Sequence, residues 1–148
     1  FERRLRRLRC KAPITLLNGK SLEAMAASDA ALLASGTATL ECLLLKRPMV
    51  VAYRLSPLNY LLATRLVRTR YFSLPNLLSG EPLVRELVQG EVQPETLGRE
   101  VLKLVEQPQQ TQRMATAFSH IHESLRRDAS EKVADTVFEM TGRHEYLV

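Results

Sequence analysis

The chain has only two cysteines, six glycines and few aromatic residues, which make up 5% of its 148 positions. Cys10 and Cys42 stand far apart, with no CxxC pair and no histidine at zinc-ligand spacing. That pattern excludes a disulfide framework and a structural metal, and it fits a reducing cytoplasm. Long apolar runs are also missing. Residues 30–34, 43–45 and 49–53 are the longest, far below the roughly 20 needed to cross a bilayer. The glycines form no GxGxxG, no P-loop and no GxSxG. His120 and His122, two apart on one helix, point to different sides and make poor metal ligands. The basic stretches lack interleaved aromatics, so a solvated face is expected there and nucleic acid is not an expected partner. No internal repeat or low-complexity segment is present.

What is there describes one ordinary domain: 45% hydrophobic and 25% charged residues form a soluble globular balance that argues against disorder. The net charge of +5 favours anionic partners. The basicity is local, with more than half of the Arg and Lys residues before residue 71. Phe1 is followed at once by Arg3, Arg4, Arg6, Arg7 and Arg9, which leads us to expect a piece of a longer protein. After that opening come Pro13 and a four-residue apolar run, too little for an export signal.

Along the chain, short apolar runs alternate with helical spacings. Residues 14–17 read as a strand, Asn18-Gly19 as a turn, and Ser21 as the cap of a helix over 22–27. Residues 30–34 are apolar at consecutive positions, which predicts a strand covered on both faces. From Thr37 the spacing of Leu40, Leu43 and Leu44 is helical until Pro48, and residues 49–53 form another buried strand. Ser56-Pro57 opens a helix with Leu58, Leu61, Leu62 and Leu66 on one face. Tyr71, Phe72 and Leu74 suggest a fourth strand ended by Pro75, with PNLLSG as a loop. Pro82 starts a short helix to about Val88, and Pro94 a longer one with Leu97, Val101 and Leu104 inward. After Pro108 the strands stop. Met114, Phe118, Ile121 and Leu125 mark one helix, and Asp128 with Glu131 caps another carrying Val133, Val137 and Phe138, ended at Gly142. The expected class is α/β with a parallel sheet over residues 1–107, incomplete at its N-terminus, and a helical tail over 108–148.

Ligands of such sheets sit beyond the carboxyl ends of the strands. There, in LLASGTATLE, Ser35-Gly36-Thr37 combines a glycine that admits a ligand to the backbone with a helix N-terminus that favours phosphate. Glu41, one turn further in, suits sugar hydroxyls. The same spacing also describes an ordinary strand-turn-helix corner, with Ser35 as a cap and Glu41 solvated. In Ser73-Leu74-Pro75-Asn76 a rigid proline fixes where an amide points, although loop asparagines are more often turn formers. Arg54, after the third strand, suits a phosphate or open solvent.

The runs SDAALLASGTATLECLLLKRPMVVAYRLSP and YFSLPNLLSGEPLVRELVQGEVQPETL resemble the C-terminal half of the lipid-A-disaccharide synthase family. ASGTATLE, YR..P and SLPN in this order make the resemblance specific, and it is strongest over residues 14–105. It implies the C-terminal half of an inverting, two-Rossmann GT-B glycosyltransferase that joins UDP-2,3-diacylglucosamine to 2,3-diacylglucosamine 1-phosphate without a metal or other cofactor. The product is the β-1,6-linked disaccharide, with release of UDP. Carried onto this chain, Ser35, Gly36, Thr37 and Thr39 would face the diphosphate, Glu41 the ribose and Asn76 the nucleotide side. Arg54 and Gln89 are further candidates. The general base would come from an N-terminal half, so this piece alone is expected to be inactive. The resemblance further implies a homodimer at the cytoplasmic face of the inner membrane. A UDP-sugar epimerase of the same fold and a non-catalytic α/β nucleotide-binding module are the alternatives.

Overall fold

The computed structural model describes residues 12–34, 36–56, 70–126 and 129–141. Three strands, β1 (Ala31–Ala34), β2 (Met49–Tyr53) and β3 (Arg85–Val88), form one parallel sheet in that order. Ala31 pairs with Met49 at the start of one ladder and Tyr53 with Val88 at the end of the other. The β-branched run of β2 is paired on both sides, and Met49, Val50 and Val51 are buried accordingly. Helix α1 (Ser21–Ala27) precedes β1, and helices α2 (Thr37–Leu44) and α3 (Leu74–Ser79) lie between the strands. After them come a short 3-10 turn (Gln89–Glu91), α4 (Pro94–Glu106), α5 (Pro108–Leu125) and α6 (Ala129–Thr141).

Helix α2 joins β1 to β2 and packs on both, as well as on α1, α3 and α5; α4 packs on β2, β1 and α5. One core results. Cys42 and Leu43 of α2, Leu87 of β3, Leu104 of α4, and Met114 and Phe118 of α5 belong to the same buried cluster. Prolines in the first turns of α4 and α5 add no missing hydrogen bond, since first-turn N–H groups have no intrahelical partner. The end of α2 is tied to α5 by Lys46. Its backbone is left-handed (φ 57°), and its ammonium donates to the Leu44 carbonyl and to His122 Nδ1.

Several local expectations are corrected. Residues 14–17 form no strand, and Ile14, Leu16 and Leu17 are exposed. Of residues 30–34, Ala31–Ala34 form β1, but only Ala31 and Leu33 turn toward packed helices; Leu32 is 47% exposed. Tyr71 and Phe72 are not a strand, and PNLLS lies within α3, with Pro75 tolerated in its first turn. The segment after Pro82 is β3 rather than a helix, because β2 offers it a free edge to pair with. Helix α5 does carry Met114, Phe118, Ile121 and Leu125, and it begins at Pro108. Val133, Val137 and Phe138 of α6 are each more than half exposed. The helix expected from Ser56-Pro57 and the caps at Asp128 and Gly142 lie outside the described residues.

Candidate functional site

The carboxyl ends of β1, β2 and β3 stand side by side, so the segments leaving them form one rim. From β1 the chain passes to Gly36, whose φ of 141° and ψ of −166° fall where side chains are strongly disfavoured. A Cβ built there meets nothing within 4 Å, so backbone conformation and not crowding demands glycine. The same open space lets a ligand reach the main chain. Gly36 is the N-cap of α2 and brings no side chain to cap it. No acidic residue occupies the first turn of α2 either, so its positive end faces solvent uncompensated. Thr37 is exposed at this terminus, and Glu41 is half-buried one turn deeper.

Thr39 is placed differently from the expectation that it faces diphosphate. It is fully buried, and its hydroxyl donates to the Gly36 carbonyl at 2.7 Å, beside the Thr39 N–H at 3.1 Å to the same oxygen. Both bonds hold the carbonyl inward. Thr39 thus shapes the turn from inside. Ser35 lies outside the described residues.

Asn76, expected on the nucleotide side, is enclosed by the chain. It is 1% exposed, and its amide donates to the Val84 carbonyl and to Glu86 Oε1, both at 2.9 Å. Its oxygen accepts from the Val84 N–H at 2.8 Å. Both amide hydrogens and the oxygen are therefore engaged inside the chain, where they pin α3 to β3. Glu86, which local spacing did not single out, completes the arrangement. Its carboxylate accepts from the Ser73 N–H at 2.8 Å, the Ser73 hydroxyl at 2.6 Å and the Phe72 N–H at 3.1 Å. It ties down the residues that lead into α3 from a distant strand, which no nearby spacing in the sequence announces. Glu86 also sits two residues before the end of β3, about 6.6 Å below the rim, so SLPN supports the site from beneath.

At the rim itself, Arg54 follows β2 and is exposed. Gln89 follows β3 and turns its carboxamide toward the chain after β2. Its Oε1 accepts from the Leu55 N–H at 2.7 Å and its Nε2 donates to the Leu55 carbonyl at 3.3 Å. The structure thus gathers Gly36, Thr37, Arg54 and Gln89 at one end of the sheet and places Asn76 and Thr39 behind them.

A cavity of about 580 Å³ opens near the amino ends of β2 and β3, its lining including Val50, Asn76, Val84, Arg85, Glu86 and Lys103. Two of its cations are neutralised within the chain, Arg85 by Glu91 at 2.7 Å and Lys103 by Glu100 at 2.8 Å. Parallel sheets bind at the opposite end, so the carboxyl rim is the better candidate. Among the described residues no group of three His, Cys, Asp or Glu side chains converges as a metal site. No helix among them is long and apolar enough to cross a membrane.

A parallel sheet flanked by helices, with a glycine-opened helix N-terminus at its carboxyl end, defines a Rossmann-like α/β protein, and the relatives that follow are GT-B glycosyltransferases. The family model for lipid-A-disaccharide synthetase matches residues 1–139, and the chain belongs to that family. The lipid-A-disaccharide synthase of Azotobacter vinelandii is 53% identical over 144 residues, covering 97% of this chain and 37% of the relative. Those of an Enterobacter species and of Pseudomonas syringae are 53% and 52% identical, covering 86% and 91% of this chain. The chain spans about a third of the length of these relatives, 33% and 35% in the latter two.

Proposed function

We propose that this chain is the UDP-holding part of a lipid-A-disaccharide synthase, with residues 1–107 as the nucleotide unit and 108–148 as its helical tail. In the complete reaction 2,3-diacylglucosamine passes from its UDP carrier to the 6-hydroxyl of 2,3-diacylglucosamine 1-phosphate. A β-1,6 bond forms with inversion, and UDP leaves. The family match to lipid-A-disaccharide synthases supports lipid A precursors as the substrates.

The observation that carries the assignment of the site is Gly36. Its backbone conformation presents the bare N-terminus of α2 at the rim, where amide N–H groups and the helix dipole stabilise the charge that develops on departing UDP. Ser35, Gly36 and Thr37 face the diphosphate, and Glu41 accepts from ribose hydroxyls one turn further along α2. Arg54 adds a positive charge from the next strand end. The general base that takes the proton of the acceptor hydroxyl belongs to the part of the relatives that this chain does not span, so the chain alone transfers no sugar. Acylated substrates place the enzyme on the inner face of the inner membrane, where basic residues add about 1 kcal/mol each near anionic lipid. A homodimer is the proposed assembly.

Isothermal titration of the chain with UDP and with UMP tests the site. UDP binding at millimolar or tighter Kd, stronger than UMP and lost in Glu41→Ala, supports it. Folded chain that binds neither nucleotide contradicts it.

A further inference from the structure

Gln89 presents a paradox. It is one of two non-glycine residues in the described chain with positive φ, at 52°, a conformation that glycine adopts without strain. The backbone is forced there by a braced turn. The Val92 N–H donates to the Gln89 carbonyl at 3.1 Å, and Glu91 accepts from the Val88 N–H at 3.3 Å and from Arg85 at 2.7 Å. A side chain kept at a position that suits glycine better must do something glycine cannot. Its two hydrogen bonds to Leu55, one to the N–H and one to the carbonyl, are that something.

Those bonds act as one more rung of the sheet. The β2–β3 ladder ends at the pair Tyr53 and Val88, and Gln89 extends the connection to Leu55 through its side chain. The segment leaving β2 is thereby held to β3 past the point where backbone pairing stops. Arg54 lies between the last ladder residue and the clamped Leu55. It is exposed and, among the described residues, has no ion-pair partner. Its guanidinium is an available cation on the same rim as the N-terminus of α2.

We infer that Gln89 is a positioning residue: it acts through the Leu55 backbone to hold Arg54 at the carboxyl rim, where Arg54 meets the diphosphate. This rests on the UDP site proposed above. Gln89 acts through Leu55, with one hydrogen bond at each end of its carboxamide.

The test compares Gln89→Gly, Arg54→Ala and the double variant in the 148-residue chain. Glycine relieves the left-handed φ, so loss of the clamp is separated from backbone strain; Gln89→Glu, which keeps the acceptor but sets a carboxylate against the Leu55 carbonyl, serves as a second disruption. Amide hydrogen exchange at Leu55 without nucleotide reads the clamp, and titrations with UDP and UMP read the site. We expect about tenfold faster Leu55 exchange in Gln89→Gly, in line with two lost hydrogen bonds. UDP affinity should fall by about three- to tenfold, with a smaller change for UMP, which lacks the second phosphate. The double variant should bind UDP no more weakly than Arg54→Ala. Unchanged Leu55 exchange overturns the inference, as do losses that multiply in the double variant. Equal losses for UDP and UMP overturn it as well, because a general weakening of the fold would not discriminate the phosphates. A parent chain that binds no UDP refutes the site itself, whereas additive losses in a chain that binds UDP refute only the positioning role.

Discussion

Truncating Asn76 separates a supporting residue from a ligand-binding one. In Asn76→Ala three hydrogen bonds are lost, at 2.9, 2.9 and 2.8 Å. The net worth of such bonds is about 1 kcal/mol each. The loss is compounded because Val84 is only 2% exposed, so its N–H and carbonyl lose their Asn76 partners where water has little access. An orphaned buried polar group costs about 1–3 kcal/mol, which brings the expected destabilisation to about 3–5 kcal/mol. That is a large part of the roughly 5–15 kcal/mol that holds a domain together. With a urea m-value of about 2 kcal/mol/M, the unfolding midpoint should fall by about 1.5–2.5 M. UDP affinity, measured well below that midpoint, should drop little. A midpoint within about 0.3 M of the parent, a shift worth only about 0.6 kcal/mol at that m-value, together with lost UDP binding, would refute the reasoning and return Asn76 to the ligand.

Gly36→Ala should cost about 1–3 kcal/mol through its φ alone, since the added methyl meets nothing; a fall of several degrees in Tm together with weakened UDP binding checks this. Cys42 is fully buried, and burial pushes its thiol up from 9.0 to about 11, against a smaller opposing pull from the Arg47 charge. In a Cys10→Ser background, Cys42 should therefore resist alkylation at pH 8 until the chain unfolds, and fast labelling of folded protein would contradict that placement. Because the folded value is the higher one, the unfolded chain loses this proton first as pH rises. The thiol thus leaves stability unchanged below pH 9 and lowers it progressively between about 9 and 11, which denaturant midpoints across that range would show.

The elements that were legible in the sequence are those whose pattern is set within one segment. Strand β2 is a continuous apolar run between Pro48 and Arg54, and α2 shows helical spacing after a glycine that announces the turn. The exceptions depend on partners far along the chain. RELV becomes a strand because β2 leaves an edge beside it, and Pro82 upstream suggested a helix instead. SLPN looked like a loop because the group that holds it, Glu86, lies ten residues beyond Asn76 and on another element. The same distance hid the role of Asn76, whose side chain is used up by Val84 and Glu86. Gly36, by contrast, was legible because a positive φ at a helix start is a local demand of the backbone.

The central claim is that nucleotide sits on the carboxyl rim at the start of α2. Recording amide resonances of the chain during addition of UDP tests it most directly. The largest changes are expected at Gly36, Thr37 and Arg54, with the side-chain amide of Asn76 nearly still. Changes centred on Arg85 and Lys103, at the far end of the sheet, would contradict it.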